Sequence, residues 1–142
     1  MRHELDRAID AAWERVPPSV DAVRWSKFLL QACEMLQNHL PPMGRRALTI
    51  GKGFLAGDCG VDEVSAAKVA CLQYLDGLSA TQRAQEPGAV AVRVLTMALP
   101  PIQTKDDEDF LDMLDIFLRF VLFLENIEAQ LLAALMSLFP EA

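Results

Sequence analysis

The residues of this chain that could take part in chemistry fall into three sets, and the first is a glycine-rich stretch around a lysine. Glycines in Gly51-Lys52-Gly53 would let the backbone approach a phosphate at the start of a helix. A P-loop, however, has Gly-Lys followed by Ser or Thr, and a dinucleotide-binding fingerprint follows a strand. Because Gly53 follows Lys52 here, the sequence favours close packing of helices over a nucleotide site.

Two acidic clusters form the second set and invite comparison with cation sites. One surrounds a glycine turn and the other begins the last third of the chain, with the members Asp58, Asp62 and Glu63, and Asp106, Asp107, Glu108 and Asp109. The first lacks the ligand spacing of an EF-hand, and neither contains the Glu-x-x-His pair of di-metal helical bundles. Acids at helix starts also face the positive end of the helix dipole. We therefore expect no metal and no cofactor.

The histidines and cysteines are the third set, and they lack catalytic partners in the sequence. His3 and His39 have no neighbouring Ser, Cys or Asp arranged as in a triad. Cys33, Cys59 and Cys71 form no Cys-x-x-Cys pair, which is typical of reduced thiols in a cytoplasm, with a Cys59–Cys71 disulfide as the alternative. The sequence thus predicts a protein that is not an enzyme.

Composition and charge limit the classes of partner. The 142-residue chain has a formal net charge of −7, from 13 basic and 20 acidic residues, whereas nucleic acids and anionic membranes require basic surfaces. A hydrophobic content of 52% excludes a disordered chain. The charged N-terminus lacks the apolar run of a signal peptide, and no apolar segment reaches the roughly 20 residues that span a bilayer. We expect a cytoplasmic protein that binds a basic protein, and neither nucleic acid nor membrane.

Apolar residues recur with helical spacing along most of the chain, and paired prolines separate the segments. Helices are predicted, with Ser19 and Thr104 as two of the capping residues, over residues 2–16, 19–40, 44–56, 62–78, 89–99 and 105–139. A loop is predicted over residues 79–88. The 89–99 segment also resembles a strand, because it alternates weakly and is rich in β-branched residues. The pattern favours a single all-α domain, residues 1–142, that forms a bundle of five to seven helices.

The last predicted helix, residues 105–139, carries an unusually broad apolar surface. Its centre, residues 116–124, contains a single charged residue. When residues are placed at 100° each, Glu125 and Glu128 fall on the apolar side. Either this long C-terminal helix is kinked near Asn126, which would turn the acids outward, or a partner or second copy covers the excess apolar face.

Residues 28–78 resemble a known family of helical proteins. A helix with three spaced leucines is followed by a break, by the stretch Arg46-Ala47-Leu48-Thr49-Ile50-Gly51, and by an acidic helix start at Asp62. This order is similar to that of the small helical immunity proteins that protect bacteria from type VI secretion toxins, especially the family that neutralises NAD(P)-degrading effectors. Gly53 and the turn at residues 57–60 depart from the family pattern.

The resemblance implies an all-α inhibitor that binds a cognate toxin in the cytoplasm and blocks its active site, with no chemistry of its own. An acidic surface would speed capture of a basic partner. The expected partner contacts are the acids of the two clusters, namely Asp58, Asp62, Glu63, Asp106, Asp107 and Asp109. The alternative is a homodimeric helical adaptor or assembly protein with residues 105–139 as its interface. A helical enzyme that uses the acids with a metal ion is a third class.

Overall fold

Amphipathic segments form eight α-helices and one short 3-10 helix in residues 3–141, the part of the chain that the computed structural model describes. The α-helices are α1 (His3–Arg15), α2 (Ala22–Met35), α3 (Pro42–Ala56), α4 (Val61–Asp76), α5 (Ala80–Gln85), α6 (Pro87–Ala98), α7 (Asp107–Leu124) and α8 (Glu128–Leu138), and the 3-10 helix spans Gln37–His39. Helix accounts for 78% of these residues, with no strand among them, which confirms the all-α prediction. The predicted number of five to seven helices was too low, because residues 79–88 contain α5 and the last segment forms two helices.

The central helix of the fold is α6, which contacts α2, α3, α4, α5 and α7. Seven of its residues are buried and they lie on all sides of the helix: Ala89, Val90, Ala91, Val92, Val94, Leu95 and Ala98. A helix that is apolar all round is typical of a buried core helix. Residues 89–99 resembled a strand in sequence because they are rich in apolar β-branched residues. The structure explains this composition by the helices that surround α6, and not by pairing with another strand.

An aromatic cluster around Trp25 joins the start of α2 to the C-terminal helices. The Trp25 ring lies 6.1 Å from the ring centroid of Phe28, 5.4 Å from that of Phe110 in α7 and 4.5 Å from that of Phe139 after α8. Its indole nitrogen donates a hydrogen bond of 2.7 Å to the carbonyl oxygen of Val16. The cluster is fully buried with its polar atom satisfied, so it links α2, α7 and the C-terminus into one core.

The C-terminal segment is two helices, and the prediction of one long kinked helix over residues 105–139 was wrong in this respect. α7 ends at Leu124, the backbone at Glu125 is extended, and α8 begins at Glu128. The interruption contains Asn126, the position near which the kink was predicted. It separates α7, which packs against α6, from α8, which packs against α1 and α2. The change of direction lets α8 bury Leu131 and Leu135 against a different part of the core.

Two helix starts differ from the predicted caps. Asp21 caps α2 instead of Ser19, because its carboxylate accepts a hydrogen bond of 3.1 Å from the Arg24 amide. Asp106 caps α7 instead of Thr104, and accepts 2.8 Å from the Asp109 amide. Aspartate and serine are both good N-caps, so the choice between neighbouring candidates depends on where tertiary packing begins the helix.

Candidate protein-binding surface

The outer face of α4 carries exposed apolar side chains. Its inner face packs on α3 and α6 and buries Val64, Ala67, Cys71 and Leu75. Away from that stripe, Val61, Val69 and Leu72 are 51%, 51% and 47% exposed. At 3.6 residues per turn these three positions fall within about 80° of arc, so they line one side of the helix. The outer side of α4 is therefore an exposed apolar strip and a candidate for a protein-binding surface.

Acidic residues lie at both ends of this apolar strip. Asp58 and Asp62 are exposed at the start of α4, and Asp76 is exposed at its last position. Glu63 instead turns back, and its Oε1 accepts a hydrogen bond of 3.0 Å from the Gly60 amide. We name as the α4 surface the exposed residues Asp58, Val61, Asp62, Ser65, Val69, Leu72 and Asp76.

The turn that carries Asp58 is held against the end of α3 by backbone hydrogen bonds. The amides of Asp58 and Cys59 donate to the carbonyl oxygen of Gly53 at 2.8 and 3.3 Å. A Cβ on Gly53 would lie 2.8 Å from Cys59 Sγ, so glycine at this position leaves room for the thiol. Gly57, with φ of 85°, adopts the left-handed conformation that ends α3. The glycines of this stretch therefore build the turn into α4.

Lys52, the lysine of the glycine stretch, forms an ion pair and lies within a helix. Its Nζ donates a hydrogen bond of 2.7 Å to Glu34 Oε2 across the α2–α3 interface. Both residues line an open groove of about 290 Å³ whose floor includes Leu30 and Leu55. Gly51 packs closely, since a Cβ there would lie 3.0 Å from a methyl carbon of Leu99. These contacts support helix packing as the role of the stretch.

The thiols are protected from ionisation. Burial raises the pKa of Cys71 to about 11 and raises that of Cys33 further. The pKa of Cys59 is also raised, first by desolvation and then by the charge and hydrogen bond of Glu63 and the charge of Asp58. All three cysteines are free, so the alternative Cys59–Cys71 disulfide was wrong. None of the thiols has the electropositive surroundings that activate a nucleophile.

The second predicted cluster, at the start of α7, is partly engaged within the fold. Asp107 accepts hydrogen bonds from the Ser19 amide at 2.9 Å and from the Ser19 hydroxyl at 2.6 Å. Its carbonyl oxygen accepts a further hydrogen bond of 3.0 Å from Trp13 Nε1. Asp107 therefore fastens the α1–α2 connection to α7, and Asp106 caps the helix. Asp109 is exposed.

The six sequence-predicted contact residues thus have different surroundings. Asp58 and Asp62 lie on the α4 surface, and Asp109 is exposed at the start of α7. Glu63 and Asp106 form hydrogen bonds within the starts of their own helices, and Asp107 links α7 to the α1–α2 connection. Within residues 3–141, no three His, Cys, Asp or Glu side chains are grouped in a way that would hold a metal ion. The apolar strip of α4 was missed in the sequence. Its signal was present, since Val61, Val69 and Leu72 lie off the helical stripe that begins at Val64.

A second exposed apolar pair lies on α7. Ile116 is 47% exposed and Phe123 is 67% exposed. Arg119 lies between them in the sequence and is paired with Asp115 at 2.7 Å. This pair belongs to the segment in which sequence reasoning expected excess apolar surface.

Comparisons with models of protein families, with curated proteins and with solved structures found no match to this chain. Among the helices of the described residues, none combines the length and the apolarity needed to cross a membrane. The class defined by the fold is an all-helical protein, and its exposed surfaces are the guide to function.

Proposed function

We propose that this protein is a non-enzymatic inhibitor of the immunity class, which binds a cognate toxin in the cytoplasm and blocks it. The observation that carries the proposal is the outer face of α4, where half-exposed Val69 and Leu72 lie between acidic ends. An apolar centre with a polar rim is the usual anatomy of a protein-binding surface.

Charge supports a basic partner. The net charge of −7 and the carboxylates of Asp58 and Asp62 would attract a basic surface and accelerate its capture. Burial of Val61, Val69 and Leu72 would then hold the complex, because apolar area removed from water contributes roughly 25 cal/mol per Å². Charge would thus govern the association rate and the apolar strip the dissociation rate.

The class of toxin is proposed from the family resemblance of residues 28–78, a range that includes the α3–α4 turn and the α4 surface. That resemblance names NAD(P)-degrading effectors of type VI secretion as the candidate toxin class. The inhibitor would block the toxin by covering its active site, since the resemblance implies no chemistry in the inhibitor itself.

A second candidate function is a homodimeric adaptor that uses the C-terminal helices as its interface. Phe123 and Ile116 favour it, because both are exposed on α7. The two proposals place the partner on different helices, so they can be separated by substitutions on each.

A growth assay tests the inhibitor proposal. Bacteria express the protein encoded by the neighbouring gene, as the candidate toxin, with or without this protein. Wild-type protein should restore growth, and Val69→Asp with Leu72→Asp should abolish protection. The matched control is Ile116→Asp with Phe123→Asp, which makes the same chemical change at similarly exposed positions of α7 and should still protect. If the neighbouring protein stops growth and the wild type does not restore it, the inhibitor proposal is refuted.

Light scattering on the purified protein tests the adaptor proposal. An adaptor predicts a dimer that becomes a monomer in the α7 double variant, whereas the inhibitor proposal predicts a monomer in every case.

A further inference from the structure

Five residues of the α4 surface have the spacing of a helix-packing seam. Asp62, Ser65, Val69, Leu72 and Asp76 are separated by three, four, three and four residues, and all are exposed. Alternation of three and four places side chains along one line of a helix, where a second helix can pack knobs into holes. We propose, resting on the protein-binding function above, that the occupant of this seam is a single α-helix of the partner with Lys or Arg at both ends.

The occupant is a helix because of what α4 can offer. The backbone of α4 is engaged in its own helical hydrogen bonds, so it has no edge to which a strand could add. The helix spans Val61–Asp76, 16 residues, or roughly 24 Å at 1.5 Å per residue. Ser65 is small and lets a second helix approach closely, and Val69 and Leu72 supply the apolar centre.

The charges at the two ends of the seam determine which residues the incoming helix should carry at its own ends. Asp58 and Asp62 lie at the start of the seam and Asp76 at its end, so cationic residues at both ends of the incoming helix would be complementary. Asp76 is informative, because an acid at the C-terminal end of a helix faces the negative end of the dipole and is locally unfavourable. Within the described residues Asp76 has no ion pair that would explain its presence.

A second copy of this chain is a poorer occupant. Antiparallel pairing centred on Val69 would oppose Asp62 of one copy to Asp76 of the other, and like charges opposed at an interface are unfavourable. Lys68 lies beside the seam. A shift that brings Lys68 against Asp62 of the other copy keeps Val69 opposite Val61, but it puts Leu72 opposite Asp58, so Leu72 loses its apolar partner.

Two synthetic helical peptides test the proposal on the full chain by fluorescence anisotropy. Both have leucines at alternating spacings of three and four; one has two lysines at each end and the other two glutamates. The lysine peptide should bind at least tenfold more tightly than the glutamate peptide. Val69→Asp with Leu72→Asp should weaken its binding at least tenfold, and the α7 control Ile116→Asp with Phe123→Asp should not.

Reversal of the charges gives a test that does not depend on loss of binding. Asp62→Lys with Asp76→Lys should invert the preference, so that the glutamate peptide binds more tightly. Circular dichroism and thermal melts of each variant verify the fold. The proposal is overturned if the lysine peptide fails to bind, if it binds the Val69→Asp, Leu72→Asp variant equally well, or if the charge-reversed variant keeps the original preference.

The failure of this proposal is distinguishable from failure of the inhibitor function. If the wild type protects growth through Val69 and Leu72 but the peptide experiment fails, the function stands and the occupant is not a basic-ended helix. If the peptides behave as expected but the wild type gives no protection, the helix-binding surface stands and the toxin assignment fails.

Discussion

The carboxylate of Asp107 accepts hydrogen bonds from both the amide and the hydroxyl of Ser19, at 2.9 and 2.6 Å, across a sequence separation of 88 residues. The two residues join the α1–α2 connection to the first turn of α7. Asp107 was predicted from the sequence to contact a partner, but these hydrogen bonds give it a role in the stability of the fold.

Asp107→Ala should lower the free energy of unfolding by roughly 0.5–1.5 kcal/mol, because the exposed Ser19 donors exchange a charged acceptor for water. Urea unfolding measures the change. The matched control is Asp109→Ala, two positions later and exposed, which should shift stability by less than about 0.5 kcal/mol. Equal stability of the two variants would show that the Asp107–Ser19 link contributes nothing.

The ion pairs of Arg24 should make the protein less stable as the pH falls below neutrality. Arg24 donates to Asp21 at 2.8 Å and to Glu141 at 2.8 Å. The Arg24 side chain is the main cause of the lowered pKa of Asp21, and the pKa of Glu141 is lowered by its own backbone amide and then by Arg24. A lowered folded-state pKa stabilises the protein above the unfolded-state pKa of about 4, and that contribution is lost as the pH falls through the folded value.

Thermal melts between pH 6 and pH 2.5 therefore check the role of Arg24. The melting temperature should fall on acidification in the wild type, and it should fall less in Arg24→Gln, which has less carboxylate stabilisation to lose. Parallel curves for the two proteins would contradict this account.

The effect of Gly53→Ala on the free energy of unfolding should depend on the residue at position 59, and its sign should reverse when Cys59 is replaced by alanine. In the wild type a Cβ on Gly53 would lie 2.8 Å from Cys59 Sγ, so we expect a loss of roughly 1–3 kcal/mol from overpacking. Once Cys59→Ala removes the sulfur, the same substitution should stabilise by up to about 1 kcal/mol, because alanine is the better helix residue. A double-mutant cycle measured by urea unfolding gives the coupling, and additive effects would refute the contact.

Asp76 should lower the stability of the protein and strengthen its binding to the partner. Asp76→Asn removes a negative charge from the C-terminal end of α4 and should stabilise the protein by about 0.3–1 kcal/mol. The same variant should weaken partner binding, with the larger effect at low salt, since the lost contact is electrostatic. A variant that is more stable and binds unchanged would remove Asp76 from the binding surface.

The all-α class followed from the sequence because helical periodicity and paired prolines are local signals. The six-residue α5 was missed, although Ser79 and Gln82 form a capping box, because it is short and has no buried apolar stripe. The break after Leu124 has no proline or glycine to mark it. The positions of Glu125 and Glu128 indicated an interruption near Asn126, but the separation into two helices depends on the packing of α8 against α1 and α2.

The candidate site shows the same division between local and long-range information. Asp58 and Asp62 could be named as exposed acids from charge and turn signals alone. The engagement of Asp107 by Ser19 could not, because it depends on bringing distant segments together. The strip of Val61, Val69 and Leu72 was visible only as apolar residues outside the main stripe, and its exposure depends on how α3 and α6 cover the other side of α4.

The affinity of the protein for the toxin proposed as its partner, compared between two matched double variants, tests the central claim most directly. Titration calorimetry should show at least tenfold weaker binding for Val69→Asp with Leu72→Asp, and binding within about twofold of wild type for Ile116→Asp with Phe123→Asp, given that a few buried residues dominate interface energies. The reverse order, with the α7 variant weakened and the α4 variant unchanged, would contradict the assignment of the α4 surface as the partner-binding site.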